Sequence, residues 1–255
     1  MHLSTAKNII AALLAAASVP CMAQVTHMMM PEDTQDIDFG VAAIAAPSVE
    51  GGSGRRFFVL PFASVQWSNG VFLAPGEIGI RLPAPVNNQY GLMLAYGVKP
   101  DRVDSTNNAK INAELGGFYN YQFAQQLGIR SRLAYGGGDN HSGTRLELGA
   151  WASSALTSHQ SASVEVGLQL ADHTYMQSYF GVSAAQAGRG PYRLYDTAGG
   201  IKNTYLNLNW RAELSLKYEL SLRLGLNRLH GSAASSPLVS QRNTASLLTA
   251  ITYHY

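Results

Sequence analysis

Apolar and polar residues alternate along much of the chain. In the clearest segment, 218–227, Tyr218 and four leucines occupy every second position, and charged, polar or small residues lie between them. The same pattern recurs in 162–170 and 204–214. A period of two is that of a β-strand with two different faces, whereas a helix repeats about every 3.6 residues. The pattern therefore predicts an all-β protein.

The alternation and its breaks predict twelve strands. An even number is expected if both chain ends lie on the same side of a closed sheet. The segment 70–83 is the least regular, because Pro75 and Gly76 interrupt it; if it forms one strand, ten strands become the alternative. The predicted strands are 38–47, 56–67, 70–75, 77–83, 89–99, 110–123, 127–136, 144–155, 161–173, 199–213, 218–229 and 244–255.

The polar face distinguishes a membrane barrel from a soluble sandwich, since both alternate. It holds mainly Gly, Ser, Asn, Gln and a mixture of Arg and Glu, with few of the Lys residues that a water-exposed face carries. Segments of about ten alternating residues are typical of tilted strands that cross a bilayer with their polar side chains in the lumen. We therefore expect a transmembrane antiparallel β-barrel, which leaves no sheet edge open to lipid.

Aromatic residues lie near the ends of several predicted strands, where a bilayer interface is expected. An aromatic core of a soluble sandwich is the alternative. The last strand also ends the chain with Tyr253 and Tyr255 on its apolar face, which resembles the terminal strand by which outer-membrane barrels are recognised for assembly. The aromatic residues are Tyr119, Tyr121, Phe123, Trp210, Tyr218, Tyr253 and Tyr255.

The first 23 residues have the pattern of a secretory signal peptide. Lys7 precedes the apolar run 9–17, and a small-residue cleavage pattern ends at Ala23. A lipoprotein acylated at Cys21 is the alternative, but Pro20 stands where a small residue is expected. We expect export to the outer membrane with cleavage of 1–23, a flexible periplasmic segment at 24–37 and a barrel at 38–255.

Composition excludes several other classes. Charged residues make up 13% of the chain and the formal net charge is +2, which provides no electrostatic footprint for nucleic acid. The single cysteine, Cys21, excludes an intrachain disulfide and a cysteine-based zinc site.

Candidate catalytic residues are sparse. Asp139, His141 and Ser142 occur together, but residues this close on one turn do not easily form a nucleophile, base and orienting acid. His173 lacks a second ligand at metal-binding spacing. The sequence predicts no enzyme activity, cofactor or metal.

Three segments near the end of the chain carry a recognisable pattern: 175–186 (YMQSYFGVSAAQ), 195–202 (YDTAGGIK), and 236–239 (SPLV) with Arg242 and Asn243. They resemble the MipA/OmpV family, the MltA-interacting outer-membrane proteins. The resemblance covers most of the mature chain but is weaker at 46–51 (APSVEG), where the family has Pro-Asp-Tyr-Glu-Gly, and the chain ends in Tyr instead of Phe.

This resemblance implies a barrel surrounded by outer-membrane lipids. For the founding member it implies a non-enzymatic scaffold that joins a lytic transglycosylase to a murein synthase. Other members of the family are described as porin-like channels or as adhesins, so a small-solute channel and a surface adhesion protein remain alternatives.

Charged residues on the polar face are the candidate site. In one interpretation they line a narrow pore and set its ion selectivity. In the other they have a structural role, pairing across strands and filling the interior. The positive and negative charges on this face are nearly equal in number, with six Arg and five Glu. This favours the filled interior, because a buried charge needs a partner. The charged residues on the polar face are Arg81, Glu114, Arg130, Arg132, Arg145, Glu147, Glu165, Arg211, Glu213, Glu219 and Arg223.

The connection 174–198 is long enough that we expect it to be ordered, over or in the barrel mouth.

Overall fold

Twelve strands and three short helices make up the computed structural model, which describes residue 31 and residues 33–99, 110–136, 143–189 and 191–255. The strands are β1 (Gln35–Pro47), β2 (Arg55–Trp67), β3 (Val71–Ala74), β4 (Glu77–Leu82), β5 (Asn88–Lys99), β6 (Lys110–Ala124), β7 (Leu127–Gly136), β8 (Gly143–Thr157), β9 (Gln160–Ala171), β10 (Gly200–Glu213), β11 (Tyr218–Leu229) and β12 (Asn243–His254). The helices are α1 (His173–Phe180), α2 (Ala184–Ala187) and α3 (Gly231–Ala234).

Each strand pairs antiparallel with its neighbours in sequence, and β1 pairs with β12 to close a barrel. The prediction of twelve strands is confirmed, and ten is excluded. Strand ends differ from the predicted ones by three residues at most. The largest difference is at the start of β1. This strand begins at Gln35, three residues before the predicted start, because its pairing with β2 continues as far as Gln35 opposite Trp67. Among the described residues, no helix is long and apolar enough to cross a bilayer. The expected signal peptide, 1–23, lies outside the described residues.

Contacts between side chains of strands that are not neighbours identify the inward face, because such side chains meet only across the concave side of the sheet. Arg132 on β7 reaches Glu77 on β4, and Tyr205 on β10 reaches Glu147 on β8. The opposite face is apolar and exposed, as expected for a barrel that crosses lipid. Its exposed residues include Val41, Phe57, Val59, Leu92, Leu94, Leu115, Leu133, Leu148, Val166, Leu222, Leu247 and Ile251.

Connections alternate between two ends of the barrel. The end that carries the carboxyl terminus, called the terminal end here, has short turns at 68–70, 83–87, 125–126, 158–159 and 214–217. The opposite end, called the loop end, has the turn 48–54 and the long connections 172–199 and 230–242. This separation of long and short connections agrees with the sequence pattern.

One stretch of the wall is shorter than the rest. The β3–β4 hairpin turns back at Pro75 and Gly76, and β2 pairs with β3 only at Val65 and Gln66. From Arg55 to Ser64, β2 therefore has β1 on one side and no described strand on the other. This part of β2 is an edge within the barrel wall.

The directions of the backbone N–H and C=O groups of β2 are consistent with this edge. Ser48 N–H donates to Gly54 O, so in the β1–β2 ladder the even-numbered residues exchange hydrogen bonds. Odd-numbered residues of β2 consequently direct their backbone groups towards the unpaired side. Pro61, which has no N–H, lies at one of these odd positions, where a strand tolerates proline.

Side chains from the long connections pack over the interior at the loop end. Tyr175, Met176 and Phe180 of α1 are buried against Leu229 and Ala233. The prediction that 174–198 is ordered is confirmed over its described residues. We call this group the mouth cluster; it consists of Ala171, Tyr175, Met176, Phe180, Leu229 and Ala233.

The interior has an apolar side and a polar side. On β1, β2 and β12 the inward residues Ala42, Ile44, Leu60 and Ala250 form a second buried cluster, with Phe58, Phe62 and Leu248 packed against it. Most charged inward residues lie on β4 and on β6 to β11, and Asp38 on β1 lies 2.7 Å from His254 Nδ1 at the terminal end of the apolar side. Apolar packing thus fills one side of the interior, and polar groups occupy the other.

Candidate functional site in the barrel interior

Three Arg–Glu ion pairs cross the polar side of the interior. Arg145 Nη2 lies 2.9 Å from Glu114 Oε2, and Arg130 Nε lies 3.4 Å from Glu165 Oε1. Arg132 pairs with Glu77. Each pair joins strands that are not neighbours, so the pairs bridge the interior. The sequence placed five of these six residues on the inward face but missed Glu77.

Tyr205 connects two of the inward carboxylates. Its Oη lies 3.1 Å from Glu147 Oε1 and 3.0 Å from Glu165 Oε1, and Gln169 Nε2 donates to Glu147 Oε2 at 2.8 Å. Glu165 is only 1% exposed. A tyrosine hydroxyl has one proton, so it donates to one carboxylate at a time. The hydroxyl therefore lies between Glu147 and Glu165 and donates to either of them in turn.

Glycines make room for this tyrosine. A Cβ on Gly167 would lie 2.4 Å from Tyr205 Cζ and 2.5 Å from Leu148 O, and a Cβ on Gly149 would lie 2.7 Å from Tyr205 Oη. The ring consequently lies against the backbone of β8 and β9. We call the whole group the interior cluster; it consists of Glu77, Glu114, Arg130, Arg132, Arg145, Glu147, Glu165, Gln169 and Tyr205.

Other predicted residues form smaller contacts. Arg211 Nε lies 3.9 Å from Glu219 Oε1, and Arg223 Nε donates to Asn209 Oδ1 at 2.6 Å. The guanidinium of Arg81 lies 5.0 Å from the ring centroid of Phe72.

Glu213 differs from the other predicted charges. It lies at the last position of β10, its side chain is 65% exposed, and its carboxylate is 3.5 Å from His159 Nδ1 in the neighbouring turn. Its surroundings are those of the terminal end of the wall and not of the interior cluster.

A buried lysine joins the loop-end hairpin to α1. Lys202 is 3% exposed, its Nζ lies 3.1 Å from Glu50 Oε1, and the same Nζ is 5.5 Å from the ring centroid of Tyr175. Gly51 O accepts hydrogen bonds from the N–H groups of Ser240 and Gln241. The β1–β2 turn is thereby fixed to the mouth cluster.

Asp172 fixes the start of α1. Its carboxylate accepts hydrogen bonds from Tyr175 N–H at 2.7 Å and Thr144 N–H at 2.8 Å. Burial acts to raise the pKa of Asp172, but these two hydrogen bonds outweigh burial and hold the pKa below its ordinary value. The carboxylate is therefore ionised at neutral pH and caps the helix.

Burial of α1 is also visible in Tyr179. Its ring stacks on Tyr175 with centroids 4.4 Å apart, and burial raises the pKa of its phenol. Ser236 Oγ donates to Phe180 O at 2.6 Å, which ties the end of α1 to the connection after α3. These contacts keep the helix in place over the interior.

Candidates for catalysis and metal binding also came from the sequence. Asp139, His141 and Ser142 lie outside the described residues. His173 Nδ1 lies 2.6 Å from Thr197 O. Within the described part of the chain, no three His, Cys, Asp or Glu side chains are grouped as metal ligands.

Residues that the sequence analysis missed complete the arrangement. Glu77 and Arg81 share the inward face of β4, and Tyr205 lies on the polar face of its strand, so alternation was the available signal for both Glu77 and Tyr205. Glu50 and Lys202 lie in the family-like segments 46–51 and 195–202, but nothing in those segments indicated that the two residues pair. Chemically, three of the cluster's four carboxylates pair with its three arginines, and the fourth, Glu147, is held by hydrogen bonds from Tyr205 and Gln169.

Comparisons with known proteins give one family match and several similar solved structures. The sequence pattern of the family described as MltA-interacting protein MipA matches residues 39–255. An outer membrane channel from Pseudomonas putida F1 is similar in structure, with 10% identity and a TM-score of 0.47 over 89% of this chain and 97% of that one. The KdgM porin is similar with 8% identity and a TM-score of 0.42 over 86% of this chain and 99% of that one. No curated protein matches the chain in sequence.

The family match spans nearly all of the barrel, from Phe39 on β1 to Tyr255 after β12. With the apolar outward face, it supports a location in the outer membrane. The chain belongs to the family of the MltA-interacting protein MipA.

Proposed function

We propose that the protein is an integral outer-membrane barrel with a filled interior that serves as a non-enzymatic platform for periplasmic murein enzymes. The family name supports a lytic transglycosylase as one partner. A murein synthase is the second partner in this proposal. The signal peptide 1–23 directs export, and the segment 24–37 begins in the periplasm and enters the barrel wall at Gln35, where β1 starts.

The packing of side chains in the barrel interior is the observation that supports this proposal. The interior cluster pairs its charges across the polar side, the apolar cluster of β1, β2 and β12 occupies the other side, and α1 packs over the loop end. Paired charges in a narrow lumen neutralise one another and do not attract a solute of one sign. A filled barrel does not conduct solutes, but it can keep the surfaces at its two ends in position at the membrane for protein partners.

The terminal end offers a surface for the enzymes. Leu216 is fully exposed at the tip of the turn 214–217, and Leu214 and Leu156 are exposed beside it. The turns 158–159 and 214–217 are adjacent, since Glu213 N–H donates to His159 O. Exposed apolar groups on neighbouring turns are typical of a protein contact. We call Leu156, Leu214 and Leu216 the terminal-end patch.

Crosslinking in cells followed by capture of the protein tests this function. The wild type is expected to retain a lytic transglycosylase, identified by mass spectrometry, and the double variant Leu214→Asn/Leu216→Asn is expected to lose it. Leu194→Asn is the control, because Leu194 is about as exposed as Leu214 but belongs to the loop end. Absence of murein enzymes from the wild-type capture contradicts the proposal.

A small-solute channel is the competing function. Twelve strands enclose more space than the eight-stranded barrels whose side chains fill the interior, and Arg and Glu line the polar side. In a channel, reversing the charge of Arg132 to Glu changes the ion selectivity.

A further inference from the structure

The hydroxyl of Tyr205 makes two close contacts with carboxylates but has a single proton. Its Oη lies 3.1 Å from Glu147 Oε1 and 3.0 Å from Glu165 Oε1. Oxygen atoms at such distances are held together by a proton that lies between them. If both carboxylates are ionised, the hydroxyl donates to one of them, and its contact with the other joins two oxygens that both lack a proton to donate. This group of three side chains is therefore one proton short.

The burial of Glu165 supports the same conclusion. Glu165 is 1% exposed, and its second carboxylate oxygen, Oε2, is buried without a hydrogen bond from any residue that the structure describes. An ionised carboxylate in such a place has lost its contacts with water and needs other donors. Arg130 Nε lies 3.4 Å from the other oxygen, Oε1. The negative charge of Glu165 is therefore only partly compensated.

The arginines near Glu147 already have carboxylate partners. Arg132 lies opposite Glu147 on β7 but pairs with Glu77, and Arg145 lies on the same face of β8 but pairs with Glu114. The interior cluster thus has three arginines and four carboxylates, and one further proton makes it neutral. The charged residues on the inward face of the adjoining strands are Glu114 on β6, Arg130 and Arg132 on β7, Arg145 on β8, Arg211 on β10, and Glu219 and Arg223 on β11.

We propose that Glu147, Tyr205 and Glu165 form a proton-binding site that holds one proton from solution in addition to the proton of the hydroxyl. A protonated Glu147 donates to Tyr205 Oη, and Tyr205 donates to the ionised Glu165, so that both contacts contain a proton. The reverse order satisfies the three groups equally. In the exchange between the two orders, one carboxyl O–H bond and the phenol O–H bond break, and the phenol and the other carboxyl each form one.

A cavity at the loop end gives this site a route to protons from solution. The cavity has a volume of about 480 Å³, and its wall on β10, β11 and β12 is centred on the inward residues Tyr205, Asn227 and Thr244, which lie opposite one another in register. The turn residues 52–54 form the facing wall. Tyr205 thus borders both the cavity and the two carboxylates. Release of the bound proton leaves two negative charges beside one hydroxyl, so the packing of Tyr205 depends on the proton.

Infrared spectroscopy of the purified barrel in detergent tests the site, because the carbonyl band of a protonated carboxyl is separate from that of a carboxylate. The wild type at neutral pH is expected to show this band, identified by its shift in heavy water. Glu147→Gln and Glu165→Gln should each lose the band, since the amide donor replaces the bound proton and the remaining carboxyl stays ionised. Glu219→Gln is the matched control, because it also removes an inward carboxyl but lies outside the site, and it should keep the band.

Three outcomes would overturn the site. These are absence of the band from the folded wild type, a band retained in either of the two site variants, and loss of the band in the control. Heat-modifiable gel mobility identifies the folded samples, and Glu147→Gln alone decides if Glu165→Gln does not fold. The site goes beyond the proposed function and does not depend on it, because absence of murein enzymes from the capture leaves the infrared band unchanged.

Discussion

Arg145 on β8 and Glu114 on β6 form an ion pair of 2.9 Å across the intervening strand β7. Both side chains are largely buried, so removal of one partner leaves an uncompensated charge in the interior. Arg145→Met is therefore expected to lower the free energy of unfolding by about 3 kcal/mol. Denaturant unfolding in detergent, followed by gel mobility, measures the loss.

The double variant Arg145→Met/Glu114→Gln is the control for this pair. It removes both charges, so most of the lost stability is expected to return. If the single variant is as stable as the wild type, the interior pairs do not contribute to stability.

The unpaired edge of β2 predicts an asymmetric response to proline. Ala63 directs its N–H towards the open side of β2, beyond the last β2–β3 pair. Ala63→Pro is expected to change the free energy of unfolding by less than about 0.5 kcal/mol, because no ladder hydrogen bond is lost. Denaturant unfolding in detergent measures this change in the free energy of unfolding.

Ala43→Pro is the matched control on the neighbouring strand. Ala43 also faces outward, but it lies opposite Thr249 in a pair that exchanges hydrogen bonds between β1 and β12. Losing this bond leaves a carbonyl unsatisfied in lipid and is expected to cost about 2 kcal/mol. Equal effects of the two prolines would show that a strand covers the β2 edge.

Helix α1 is expected to loosen only at acidic pH. The pKa of Asp172 is lower in the folded protein than the ordinary value of about 3.9. Its stabilising contribution is thus fully present above about pH 4 and is lost as the pH falls through the lower folded pKa. Hydrogen-exchange protection of the peptide 173–180, corrected for the intrinsic rate at each pH, should fall in the wild type over that range.

Asp172→Asn cannot titrate and serves as the comparison. Its protection at neutral pH should be reduced by about 1 kcal/mol in opening free energy, and it should not change with pH. The same pH dependence in wild type and variant would mean that Asp172 does not control the helix.

Gly167 is expected to be intolerant of a side chain. A methyl group there would press on Tyr205 and on Leu148 O, and the barrel wall has little freedom to move. Gly167→Ala should lower stability by about 1–3 kcal/mol. Gly225→Ala is the control, since its Cβ would meet the movable side-chain atoms of Ser246 and Asn207. Equal stability of both variants, measured by denaturant unfolding, contradicts the close packing of Tyr205.

Strands and faces were predictable from the sequence because alternation is local. Leu222 and Arg223 are adjacent, and their opposite character alone assigns them to opposite faces. Cross-barrel partners were not predictable, since they depend on strand tilt and register around the whole closed sheet. Glu77 illustrates this, because it meets Arg132 55 residues away.

The loop end was predictable only in outline. The length of 174–198 indicated order, but the contact of Lys202 with Glu50 joins residues 152 positions apart and follows from closure of the barrel. Asp172 has the residue type of a helix cap, yet α1 is short and its stability comes from packing on Leu229 and Ala233. No period in the sequence reports such packing.

Conductance of the purified protein in a planar bilayer tests the central claim that the interior is filled. Stable insertion, verified by recovery of folded protein from the bilayer, should give no single-channel steps. Deletion of 176–192, which removes most of α1 and the connection after it, should produce steps if the mouth cluster is part of the seal. Regular single-channel steps from the wild type, with an ion selectivity altered by Arg132→Glu, would contradict the account and establish a channel.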